Sequence, residues 1–311
     1  MGVTAAAVAG AAAIAAFATG YLRSVLAAPD RPRTSGAKWS AVLSTVALTA
    51  AVSMVVVLLS GTVFAVLQLA FREITLDAVT ASLVVAIVAG IAAHRVTEVA
   101  SRMTTRAIST LLAMFLVSGG LASMLSAHDP RWWQRNFSAL GGGSGFSSYT
   151  FNITLLFSGL MVVTLSQYLT REIQQHADAD ADADALRRLR VLRGWLVAVG
   201  VLLAGVGLVP VDEAEVLHTV IATTMSFVFA ALVIACPFLV PWLPRSFRIA
   251  SWVVVAGFGF VAILMWPVGY FNLTAVELLG SVLLLAWLVL FVRAVTAAVD
   301  DQSTRLGRDD R

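Results

Sequence analysis

AVLSTVALTAAVSMVVVLLSGTVFAVLQLA, residues 41–70, contains no Asp, Glu, Lys or Arg. A run of about 18 or more apolar residues crosses the hydrocarbon core of a bilayer as a helix. The block is one of a series. Comparable spans read as Ala78–Ala93, Ala107–Ser126, Thr150–Leu169, Gly194–Pro210, Val216–Val240, Ser251–Val268 and Thr274–Thr296. Short connections between most of them predict antiparallel neighbours in a bundle. The fold class is therefore all-α, a polytopic transmembrane helical bundle (residues 41–296) of about eight spans.

Composition agrees. The 311 residues are 59% hydrophobic and 13% charged, against about 25% charged in soluble domains. The net charge of +3 does not point to nucleic acid, because the basic residues sit in short loops. Eighteen of the 21 lie on one side of the predicted spans, and only Arg72, Arg131 and Arg135 on the other. The positive-inside rule then places the Arg-rich loops and the charged tail 297–311 in the cytoplasm, and predicts a multi-pass cell (plasma) membrane protein. The lone Cys236 excludes an intramolecular disulfide.

The N-terminal segment 1–40 holds an alanine-rich stretch, Val3–Leu22, and a basic linker. The stretch reads either as a ninth helix or as a peripheral segment; it lacks the basic start of a signal peptide. His176–Ala185 reads HADADADADA, without the glycine turn and distal Glu of a calcium loop, and is expected to be a solvated linker. That acidic run followed by Arg187, Arg188 and Arg190 suits a helix dipole. Trp132, Trp133, Trp195, Trp242, Trp252, Trp266 and Tyr270 fall at span boundaries, where such rings anchor in the headgroup zone. Gly200, Gly205, Gly257 and Gly259 would permit close helix packing.

Phosphate-cradling loops, dinucleotide fingerprints, HExxH and CxxC are absent from the sequence. The polar residues gather instead at the Arg-poor ends of the spans, in 128–152, 209–218 and 266–277. Asn136, Asn152, Asn272, Glu277, Arg131 and Arg135 are the candidate ligand-binding residues. Intramembrane ionisable groups are functional candidates by default, although each residue can equally cap a helix or satisfy a neighbour. An enzymatic version would use His218 or His128 as general base, oriented by Asp212 or Asp129. His128 and His218 with those carboxylates also have metal-ligand chemistry. Their spacing offers no i, i+4 pair, so no metal or cofactor is expected.

DPRWWQRNFSALG, FNITLLFSGL and GLVPVDEAEVLH resemble elements of a bacterial membrane family called domain of unknown function 998. That family is distantly similar to the FRAG/DRAM/SFK membrane proteins. The matching positions are Asn136, Ser138, Leu140, Gly141, Phe151, Asn152, Pro210, Asp212 and His218, and the resemblance covers roughly Ala41 to Thr296. The N-terminal segment and the Asp-rich linker depart from it. The family has no agreed activity. Its eukaryotic relatives are linked to lipid remodelling and membrane-lipid organisation, so the resemblance implies a lipid-related role. Three functions are compatible with the residues. The first is a protein binding a lipid or amphiphile on its extracytoplasmic face, with membrane lipids as partners. The second is a small-solute transporter. The third is a scaffold or accessory subunit that binds a protein through loop 170–193 or the C-terminal tail.

Overall fold

The computed structural model describes residues 8, 10–20, 42, 44–57, 60, 77–101, 104–176 and 183–309. Every regular element among them is helical: α1 (Gly10–Gly20), α2 (Ser44–Val57), α3 (Ala78–Ser101), α4 (Thr105–Leu125), α5 (Phe146–His176), α6 (Ala183–Leu208), α7 (Glu215–Leu239), α8 (Arg245–Met265) and α9 (Leu273–Asp309). The last seven are long and apolar enough to cross a membrane. The chain is an all-helical, multi-pass membrane protein. Helices α1 and α2 lie within Val3–Leu22 and Ala41–Ala70; the rest of those stretches falls outside the described residues, as does 177–182 of the Asp-rich linker.

Side-chain exposure follows the membrane reading. On α3, Val79, Leu83, Ile87 and Ile91 point outward. A contiguous apolar face of that kind is a liability in water and ordinary against lipid tails. The helices outrun the apolar windows that predict them. α5 continues to His176, α6 starts at Ala183 and α9 reaches Asp309. Ala, Leu, Arg and Gln keep these extensions helical, because none of them breaks the backbone ladder. Most of 170–193 is thus helix rather than loop. Asp184 lies in the first turn of α6, where a carboxylate favours the dipole.

The chain divides into two compact units, Met1–Gly119 and Gly120–Arg311. In the first, Ala12 and Ala16 of α1 pack with Val52 of α2 and Val96 of α3. Ala12 and Ala16 are one helical turn apart and so share a face. The alanine-rich stretch is therefore a packed helix over its described part.

In the second unit α5 and α6 form the closest pair. The α6 stripe Leu189, Leu192, Leu196, Val199 and Leu203 is buried, while Arg187, Arg188, Arg190 and Arg193 between and before its members are exposed. Gly159 of α5 meets Gly200 and Ala204 of α6 so closely that a Cβ on Gly159 would lie 2.3 Å from the Gly200 carbonyl oxygen. Gly207 lies equally tight against Asn152 and Leu156. Of the glycines expected to permit packing, Gly200 does so against backbone. Gly205 and Gly257 meet only side chains, and Gly259 faces open space. An aromatic core joins α7, α8 and α9. Trp287, fully buried, stacks on Phe291 at 5.2 Å and meets Phe229 edge-on at 5.5 Å. Its indole N–H donates to Ser251 Oγ at 3.0 Å, removing what would otherwise be an orphaned donor inside the bundle.

Candidate functional site

The Arg-poor end of the second unit is built around the segment between α4 and α5. Asp129 starts it. Its Oδ1 accepts the Arg131 N–H at 2.9 Å, and its Oδ2 accepts from the Arg135 guanidinium at 3.3 Å. Two short 3-10 turns follow, Trp132–Gln134 and Phe137–Gly141. Phe137 packs edge-on against Phe151 of α5 with ring centroids 5.1 Å apart.

Three helix corners hold this segment. From α9, Glu277 Oε2 accepts the Phe137 N–H, and the Ser138 N–H also faces that carboxylate. Asn272 donates to the Trp133 carbonyl at 2.8 Å while its Oδ1 caps α9 by accepting the Ala275 N–H at 3.0 Å. From α5, Ser148 Oγ and Asn152 Nδ2 both donate to the Gly141 carbonyl, at 2.7 and 2.8 Å. From the α6–α7 turn, Asp212 Oδ2 accepts the Gly143 N–H at 2.7 Å. Two glycines are needed here. A Cβ on Gly141 would sit 2.5 Å from Asn152 Oδ1, and Gly143 adopts φ +83°, a conformation that costs other residues about 1–2 kcal/mol.

His218 occupies the first turn of α7 and is 4% exposed. Its Nδ1 lies 2.6 Å from the Val209 carbonyl oxygen. A carbonyl only accepts, so Nδ1 carries the hydrogen, and in the neutral ring Nε2 is then a bare acceptor. That Nε2 is enclosed and has no hydrogen-bond partner among the described residues. The same is true of Asn136 Oδ1 and of Thr274 Oγ1, on a residue that is 3% exposed. Leaving such a group unpaired costs about 1–3 kcal/mol.

The sequence candidates therefore separate into three groups. Asn152, Asp212, Asn272 and Glu277 converge on the segment, but hydrogen bonds to its backbone occupy them. Asp129, Arg131 and Arg135 cluster on its exposed side. Asn136 and His218 each keep a buried atom without a partner among the described residues. The expected pairing of His218 with Asp212 is not made. Val209 oxygen takes the orienting position on Nδ1, because the α6–α7 turn brings that carbonyl to the ring while Asp212 reaches out to Gly143. His128 is exposed and Asp129 is engaged by Arg131 and Arg135, and the two form no base–carboxylate pair among the described residues. No group of three His, Cys, Asp or Glu side chains suited to a metal ion occurs among the described residues.

Sequence reasoning passed over Thr274 and the serines. Ser123 and Ser147 exchange hydrogen bonds across 24 residues, both buried. The FSSYT run at the start of α5 was the available signal for the latter. Comparison of the chain with protein-family models, curated proteins and solved structures finds no match.

Proposed function

We propose that the protein binds a membrane lipid or other amphiphile at the Arg-poor end of its second unit. One observation carries the reading: Asn136 Oδ1 and Thr274 Oγ1 are buried polar atoms without partners among the described residues, beside the junction of the Phe137–Gly141 turn and α9. Natural membrane proteins satisfy such atoms, with protein, water or ligand. The surroundings suit an amphiphile. Trp133, Trp266 and Tyr270, on the connecting segments at this end, are all exposed, and so is Phe146 at the start of α5. Rings of this type sit at the headgroup level with apolar chains below them. A headgroup held by the polar atoms would leave its acyl chains along the exposed apolar helix faces.

The Arg bias supports a cell-membrane location in which this end faces outside and the C-terminus lies in the cytoplasm. A membrane-impermeant maleimide applied to intact cells would then label Ser144→Cys. Labelling only after permeabilisation would reverse the orientation.

The binding test is native mass spectrometry of the full chain in mild detergent, beside Asn136→Ala and Thr274→Val. A defined lipid mass on the wild type, reduced at least about tenfold by the variants, is the expected result, corresponding to about 1.4 kcal/mol. A wild-type protein that retains no lipid under these conditions would sink the proposal.

A further inference from the structure

We infer that the Arg-rich end of the second unit is a separate lipid-contacting surface, which draws anionic phospholipids around α6, α8 and α9 through their headgroup phosphates. It lies at the opposite end from the Asn136 site and does not depend on it. In the α5–α6 pair, Gly159 lies against Gly200 and Ala204, and Gly207 against Asn152 and Leu156. Continuing that antiparallel register brings Arg171 level with Arg188 and Arg190. In the α8–α9 pair, Ser251 meets Trp287 and Phe247 meets Phe291. The same continuation brings Arg245 level with Arg293. All five arginines are exposed, and so are Arg187, Arg193 and Arg248. None of the eight makes an ion pair among the described residues. Glu172 and Asp184, the carboxylates of α5 and α6, leave them unmatched, and α8 contains no carboxylate.

Depth decides what meets these groups. An α-helix rises about 1.5 Å per residue, and the hydrocarbon core is about 30 Å thick. Counted from the Arg-poor helix ends Leu273, Met265 and Leu208, Arg293 lies about 30 Å in, Arg248 about 26 Å and Arg193 about 23 Å. These side chains therefore start at or inside the hydrocarbon edge, and their heads snorkel to the plane of the lipid phosphates. A guanidinium meets a phosphate with two parallel N–H bonds, which an ammonium does not reproduce. Lys38 is the only lysine of the chain. Beside the arginines, Ile249, Trp252 and Val253 of α8 and Leu290 of α9 present exposed apolar surface to acyl chains. A zwitterionic phospholipid carries its own cation on the same headgroup as its phosphate. An anionic one brings a net counter-charge, and each basic residue near such lipids strengthens the attraction about fivefold.

The test uses the full chain in mixed micelles of a mild detergent with phosphatidylglycerol and phosphatidylcholine of the same acyl chains. Native mass spectrometry should show phosphatidylglycerol retained over phosphatidylcholine by at least about fivefold. The ratio should narrow as ionic strength rises, because exposed charges are screened. Arg248→Gln and Arg293→Gln should each lower the ratio about two- to fivefold. Arg293→Lys keeps the charge and loses the fork, so its ratio should fall between those of wild type and Arg293→Gln. Arg95→Gln removes the same charge from an arginine already paired with Glu98 at 3.2 Å, and should leave the ratio unchanged. Equal retention of the two lipids by the wild type would overturn the inference and leave the Asn136 site standing. An equal fall in Arg95→Gln would assign the preference to net charge and overturn the surface. A ratio that collapses in Asn136→Ala would move the anionic lipid to the Arg-poor end and overturn it as well. Displacement of phosphatidylglycerol by inorganic phosphate would keep the phosphate chemistry and overturn the lipid as occupant. The wild-type ratio decides the inference even if a variant does not fold.

Discussion

Gly159→Ala adds one methyl group at the tightest point of the second unit. The new Cβ would lie 2.3 Å from the Gly200 oxygen, 2.4 Å from the Ala204 nitrogen and 2.8 Å from the Ala204 Cβ, where ordinary contact begins at 3.4 Å. Two of those three atoms are backbone and cannot rotate away, so α5 and α6 must separate locally by about 1 Å. Gaps of about 0.5–1 Å forfeit a quarter to a half of the dispersion energy along the parted surfaces, and overpacking typically costs about 1–3 kcal/mol. Replacing glycine by alanine in a helix returns up to about 1 kcal/mol. The net expectation is a destabilisation of about 1–2 kcal/mol. For a cooperative unit of this size that lowers the melting temperature by about 2–8 °C. The assay is thermal unfolding in detergent, followed by circular dichroism and by loss of the monodisperse size-exclusion peak. Gly259→Ala in α8 is the control, because none of the described residues lies within 4 Å of its new Cβ. It should match or exceed the wild type. A Gly159→Ala protein that melts at or above the wild type would refute the close α5–α6 contact, and so would a Gly259→Ala protein destabilised by the same amount.

Glu277→Ala should release the Phe137–Gly141 turn and raise hydrogen exchange at the Phe137 and Ser138 amides about 10- to 100-fold, the factor for a charge-assisted bond worth about 1.5–3 kcal/mol. Glu277→Gln, which still offers an accepting oxygen, should raise it far less. Ser251→Ala strands the Trp287 N–H inside the aromatic core and should destabilise by about 1–2 kcal/mol in the same thermal assay; an unchanged melting temperature would show that the bond contributes nothing. The Asp77 carboxyl is held below its ordinary range by the Thr80 backbone N–H and then by the Thr80 hydroxyl. A depressed folded value means that its stabilisation of the first turn of α3 is present at neutral pH and is lost as pH falls through that value. Protection of the Thr80 amide, its exchange rate taken relative to the intrinsic rate at each pH, should therefore fall in acid, and in Asp77→Ala it should already be low at pH 7.

Apolar length is a local property of the chain, so the sequence alone determined the membrane fold and the approximate positions of α3 to α9. Charge placed by loop is equally local, which is why the Arg-poor end could be recognised as the place where polar side chains collect. Helix ends were less legible. Apolar windows stop where the charges begin, whereas α5, α6 and α9 continue through Arg, Gln and Asp with no proline to end them. The site itself was decided by tertiary structure. Phe137 and Glu277 are 140 residues apart and Gly143 and Asp212 are 69 apart, and no spacing rule connects residues at such separations. Only their meeting shows that Asp212, Asn152, Asn272 and Glu277 hold a loop in place while Asn136 and His218 keep an atom unpaired among the described residues. The same holds for Gly159. In sequence it is one glycine of 22; its importance comes from lying against the backbone of another helix, which a sequence read along the chain does not bring into view.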